Sequence, residues 1–99
     1  MRFPLERFKI VGHSMEPDFY SGQRIIINRW AYIFSDPTIG DIIAFRDRHD
    51  KGKIALKKVK KILDKSYYVV GLNQEDSQDS RSFGYISSKE IIGKFFTRY

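Results

Sequence analysis

Ile54-Ala55-Leu56-Lys57-Lys58-Val59-Lys60-Lys61-Ile62-Leu63 can be wound or extended, and the choice decides the fold. As a helix, it puts Ala55, Leu56, Val59, Ile62 and Leu63 on one apolar face with the lysines outside. As a strand, it puts Ala55, Lys57, Val59, Lys61 and Leu63 on one face, with Lys58 and Lys60 on the other. Periodicity alone leans to the helix, in which Lys57 is an ordinary solvated cation. The strand instead tucks Lys57 between Ala55 and Val59.

The surrounding chain reads as β structure. Phe8–Val11 predicts a short strand running into Gly12-His13-Ser14, and Pro17 with Ser21-Gly22 punctuates a turn. Arg24–Asn28 is β-rich through Ile25, Ile26 and Ile27. Pro37 and Gly40 bracket a turn before a strand at Asp41–Arg46, and the charged stretch Arg46–Lys53 reads as an exposed loop. Ser66–Val70 and Ile91–Tyr99 predict further strands. Gly71–Gly84 is polar and turn-forming, and Ser87–Glu90 can open a single helical turn. Many short β runs separated by turn signals point to an all-β barrel or sandwich. No internal repeat or low-complexity tract interrupts them.

Ninety-nine residues suffice for one domain, residues 1–99, with an economical core. The absence of cysteine excludes disulfides, thiol catalysis and cysteine-ligated zinc. A net charge of +6 fits an anionic neighbour, nucleic acid or membrane, and fits plain solubility equally well. No stretch approaches the roughly 18–20 apolar residues of a membrane span, and charges at Met1–Glu6 argue against a signal peptide. The expectation is a soluble cytoplasmic protein if the chain is complete, and a membrane-associated one if an anchor has been removed.

Three stretches carry candidate chemistry. In Gly12-His13-Ser14-Met15-Glu16-Pro17, a serine follows a strand in a glycine-containing turn, where its hydroxyl can be exposed beside backbone N–H groups. A serine needs a proton acceptor before it attacks a carbonyl. His13 is its sequence neighbour and faces the other way in extended backbone, and His49 lies in the charged loop. A lysine can act as the base if burial lowers its pKa from about 10.4 by several units. Lys57 is the candidate the strand reading supplies; Lys58, next to Lys60, keeps to solvent. The third stretch, Asn73-Gln74-Glu75-Asp76-Ser77-Gln78-Asp79-Ser80-Arg81, is acidic but lacks the glycine and closing glutamate of an EF-hand loop, so neither a metal nor a cofactor is expected. No glycine-rich phosphate loop is present.

Together these stretches resemble the signal peptidase I family of serine–lysine peptidases, from Phe8 to Tyr99 and in family order. Gly12–Pro17 is similar to its nucleophile block, Gly40-Asp41-Ile42-Ile43-Ala44-Phe45 to the strand block that follows, and Leu56-Lys57-Lys58-Val59 to the base block, usually Lys-Arg-Val. Gly71–Arg81 with Phe83-Gly84 is similar to the block Gly-Asp-Asn…Ser-x-Asp-Ser-Arg…Gly. The resemblance implies a mostly β fold with at most a short helical turn, and so decides for the strand at Ile54–Leu63. It implies Ser14 as nucleophile, Lys57 as base, Ser77 as the serine that orients the lysine, and Asp79 with Arg81 as an ion pair beside the site. Departures are Leu72 for Asp, Gln23 for Asp, Lys58 for Arg, and Gly12 where some members have a serine hydroxyl in the oxyanion hole. The hole here would rely on the Ser14 N–H. Length and the Asp79–Gly84 run look most like the nickel superoxide dismutase maturation proteases.

The implied activity is cleavage of an N-terminal leader or signal peptide from a protein substrate by a Ser/Lys dyad. The alternative is a catalytically inactive module whose basic run Lys51–Lys61 contacts membrane or nucleic-acid phosphates. With no room for a helix-turn-helix, nucleic acid is not the expected partner. Trp30-Ala31-Tyr32-Ile33-Phe34 suits either peripheral membrane contact or packing against the core or a partner.

Overall fold

The computed structural model describes residues 4–46, 54–73 and 79–99. The stretch 47–53, which holds most of the charged loop with His49 and the start of the basic run, lies outside the described residues, as does Ser77.

Among the described residues, seven antiparallel strands form one sheet that curls into a half-barrel. They are β1 (Leu5–Lys9), β2 (Arg24–Asn28), β3 (Ile42–Arg46), β4 (Ile54–Leu63), β5 (Ser66–Val70), β6 (Ile86–Ser87) and β7 (Ile91–Arg98), in the order β1-β2-β7-β3-β4-β5-β6. A one-turn helix, α1 (Ser80–Phe83), falls in the stretch read as turn-forming, and the helical turn expected near Ser87–Glu90 is a 3-10 turn at Ser88–Glu90.

Ile54–Leu63 is a strand along its whole length. Its helical periodicity is overridden by pairing: β3 takes one edge, with Ile43 opposite Lys57 and Ala44 opposite Leu56, and β5 takes the other from Lys58 onward. A register shift between Val59 and Lys61 marks a bulge. Over Ile54–Leu56 the second edge has no ladder partner among the described residues.

The first strand begins and ends earlier than the expected Phe8–Val11. The expectation followed the apolar side chains, whereas the ladder follows the length of its partner: Lys9 already faces Arg24, the first residue of β2. Ile10 still exchanges bonds with Gly22 and Gln23 (2.7 and 2.9 Å) before the chain turns away.

Alternation along the strands places apolar residues on both faces of the sheet. One cluster contains Met15, Phe19, Ile25, Ile27, Ala44 and Leu56. The other contains Ile43, Phe45, Val59, Tyr67, Val69 and Ile86. Each large side chain so buried stabilises the fold by about 1.5–3 kcal/mol. Strands β2 and β7 approach so closely at Gly93 that a Cβ there would collide with the Asn28 carbonyl oxygen and lie 2.8 Å from the Ile27 side chain. Only glycine fits that crossing.

Candidate active site

After β1 the chain reaches Gly12, whose φ of +97° lies in the left-handed region that glycine enters without strain. The following residues coil tightly: Glu16 N–H donates to the His13 carbonyl (3.2 Å) and Phe19 N–H to that of Met15 (2.9 Å). Met15 and Phe19 are buried in the first cluster and pin the turn from beneath. Phe19 also meets Phe95 edge-on, with ring centroids 4.9 Å apart. Ser14 is thereby held at a fixed point of the turn. The His13 ring is exposed, and its Nδ1 meets Glu16 Oε2 at 2.5 Å.

Ser14 lines a cleft of about 430 Å³ in the open side of the half-barrel. One wall is the edge of β1 and the residues after it, Phe8 to Gly12; the other is Ile54–Lys57, the part of β4 that precedes its pairing with β5. Ile25, Ile27 and Ala44 form the floor. Lys57 belongs to this lining and is 4% exposed, whereas Lys58 is exposed. A buried lysine is rare, because removing an ammonium from water is costly.

The turn is clasped from a third direction. Asn73 N–H donates to the Ser14 carbonyl (2.8 Å), and Asn73 Nδ2 donates to the His13 carbonyl (3.0 Å). The segment bearing Asn73 is set in turn by Asp79, which is 0% exposed. Its carboxylate accepts from Gly71 N–H (2.8 Å), Arg81 N–H (3.0 Å) and the Arg81 guanidinium, the shortest contact being 2.6 Å to Nη2. Asp79 and Arg81 are therefore an ion pair. Burial pushes the Asp79 carboxyl up, but the hydrogen bonds from the Arg81 side chain, Gly71 and the Arg81 backbone outweigh it and hold the carboxyl below its ordinary value. Ser80 Oγ accepts from Val69 N–H (2.7 Å), tying α1 to β5.

Leu72, where the family pattern has an acid, packs against the first cluster. Asp41 accepts from the Tyr32 hydroxyl (2.7 Å) and from Thr38 N–H and Oγ1 (both 3.0 Å), and Lys94 lies 3.5 Å away. This anchors Tyr32 while leaving Trp30, Ile33 and Phe34 at 45%, 55% and 99% exposure. Among the described residues no group of three or more His, Cys, Asp or Glu side chains could hold a metal ion, and no helix is long and apolar enough to cross a membrane.

Of the residues the sequence brings forward, Gly12, Ser14 and Lys57 line one cleft, and Asp79 and Arg81 form an ion pair that holds Gly71. Sequence reasoning assigned no role to Asn73, Ser80 or the Tyr32–Asp41 pair. The only signal for Asn73 was its position two residues after Gly71 in the fourth block.

A sequence profile of the family described as signal peptidase, peptidase S26, matches residues 1–63 and 55–99, so that the two matches together span the chain. No curated protein matches it.

Proposed function

This chain belongs to the signal peptidase family, peptidase S26, and we propose that it is a serine endopeptidase in which Ser14 is the nucleophile and Lys57 the general base. The observation that carries the reading is that a buried lysine and the serine of a tightly held turn line the same cleft. Burial disfavours the charged form of a lysine and favours the neutral amine a base must be. Lys57 takes the Ser14 proton as Oγ attacks the scissile carbonyl, and the oxyanion is held by backbone N–H groups including that of Ser14. Lys57 then gives the proton to the leaving amine, and water hydrolyses the acyl-enzyme.

The substrate is an extended peptide, the N-terminal leader of a protein, laid in the cleft between the edge of β1 and the Ile54–Lys57 wall. Main-chain hydrogen bonds would hold it, and small side chains before the cleaved bond would enter the apolar floor. Processing of one dedicated partner, as in nickel superoxide dismutase maturation, is the narrower form of this reading. Ser14→Ala and Lys57→Met, each assayed on a leader peptide with Ala before the cleaved bond, should abolish cleavage. Retention of wild-type rate by either variant overturns the dyad, and salt-dependent DNA binding without cleavage would favour the inactive basic module instead.

Peripheral membrane contact is proposed for the Trp30–Phe34 segment, because Trp30, Ile33 and Phe34 are exposed together while Tyr32 is anchored. The protein should float with anionic vesicles and lose that property in Phe34→Ser. Absence of wild-type flotation ends the proposal.

A further inference from the structure

The Asn73 side chain does not line the cleft, yet it reaches the backbone on which the chemistry depends. Its Nδ2 donates to the carbonyl of His13 at 3.0 Å. That carbonyl and the N–H of Ser14 belong to one peptide unit. A trans peptide is planar, and its C=O and N–H point in opposite directions. Fixing the carbonyl therefore fixes the direction of the N–H, away from Asn73. A second bond, from Asn73 N–H to the Ser14 carbonyl at 2.8 Å, holds the next peptide unit as well. The turn's own bond to the His13 carbonyl is longer, 3.2 Å from Glu16 N–H.

Gly12 has no side chain to donate to an oxyanion, so the burden falls on backbone donors, and their aim is what counts. We propose that Asn73 is a positioning residue that aims the Ser14 N–H at the oxyanion. The Asp79–Arg81 pair supports it through Gly71, whose N–H donates to Asp79 and whose carbonyl lies 3.5 Å from Arg81 Nη2. The inference rests on Ser14 being the nucleophile. It gives Gly71, Asn73, Asp79 and Arg81 one shared task, which is to hold the peptide plane of the serine.

The effect is specific to the transition state. A misaimed donor weakens the bond to the oxyanion and leaves binding of the ground-state peptide nearly unchanged. Losing an oxyanion donor outright costs about 10²–10³ in rate; misdirecting one should cost about 10–10².

The test uses the whole chain and a fluorogenic leader peptide with Ala before the cleaved bond. Asn73→Ala and the isosteric Asn73→Asp are compared with wild type and with Ser14→Ala, and thermal melting is followed for each. Asn73→Asp keeps the shape and the backbone bond to Ser14 but, when ionised, has no side-chain donor for the His13 carbonyl. The expected result is a kcat lowered about 10–10²-fold in both variants, with KM within about twofold of wild type. A second signature belongs to Asn73→Asp alone. Its carboxyl can donate only when protonated, so its kcat relative to wild type should rise as the pH is lowered from about 8 to about 5, whereas that of Asn73→Ala should not. If Ser14→Ala is inactive while Asn73→Asp keeps wild-type kcat, or changes only KM, the positioning role is overturned and the dyad stands. If Ser14→Ala cleaves like wild type, the nucleophile assignment fails and takes this inference with it.

Discussion

The two apolar clusters meet at β3 and β4, which contribute to both, and then diverge, one toward β2 and the turn after β1, the other toward β5 and β6. The cluster of Ile43, Phe45, Val59, Tyr67, Val69 and Ile86 is covered by Phe83 of α1, by Tyr32 and by Ile91. The cluster of Met15, Phe19, Ile25, Ile27, Ala44 and Leu56 has Phe8, Ile10, Leu72 and Phe95 among the side chains packed against it, yet five of its six members line the cleft. The cluster around Phe45 and Tyr67 is a finished core. The cluster around Met15 and Leu56 borders a cleft of about 430 Å³ that Ser14 and Lys57 also line. The proposed site sits on this side, where apolar side chains of a bound peptide would complete the packing.

This contrast can be broken deliberately. The largest expected effect is at the cleft alone: Ser14→Ala should lower kcat by about 10⁴ or more while melting at the wild-type temperature. A large drop in melting temperature would mean that cleft and core are not separable. Next comes truncation within each cluster. Phe45→Ala removes a ring from the finished core, where it packs edge-on against Phe83 at 6.3 Å, and should cost about 3–5 kcal/mol in denaturant unfolding. Leu56→Ala, on the wall of the cleft, should fall near the lower end of the usual range, about 2 kcal/mol, and should change KM for the leader peptide. Equal losses at the two sites would erase the distinction.

The smallest effect sharpens the link between cleft and core. The Asp79 carboxyl is held below its ordinary value in the folded chain, so its ionised form stabilises the fold above the unfolded value of about 3.9. That contribution is lost as pH falls through the lower folded value. Asp79→Asn should therefore cost about 1–2 kcal/mol at neutral pH, and the gap from wild type should close below about pH 4. A gap independent of pH would mean that the charge on Asp79 contributes nothing. Arg81 gives no opposing slope over this window, because its guanidinium, held by the Asp79 hydrogen bond, is pushed further up and stays charged.

Much of this arrangement was legible in the residues, and the parts that were not have physical reasons. The strands at Arg24–Asn28 and Ser66–Val70 are written in β-branched and aromatic runs, and both appear with those bounds. Ile54–Leu63 was ambiguous because alternating and helical patterns overlap in a stretch of lysines with scattered apolar residues. Its resolution came from two partners far away in the chain, β3 and β5. The first strand was misplaced because its end is set by where β2 begins. Asn73 falls in a quoted stretch but has no role assigned there, because its bonds go to His13 and Ser14, some sixty residues away, which no local pattern encodes.

By itself, then, the sequence determined the class of fold, the serine-bearing turn, the candidate lysine and the family, because each is written in local residue types and in the order of four blocks. Tertiary structure alone decided that Lys57 is buried, that it shares a cleft with Ser14, and that one apolar cluster borders that cleft. Burial and proximity arise when strands distant in sequence pair, so they belong to the folded chain and to no segment of it.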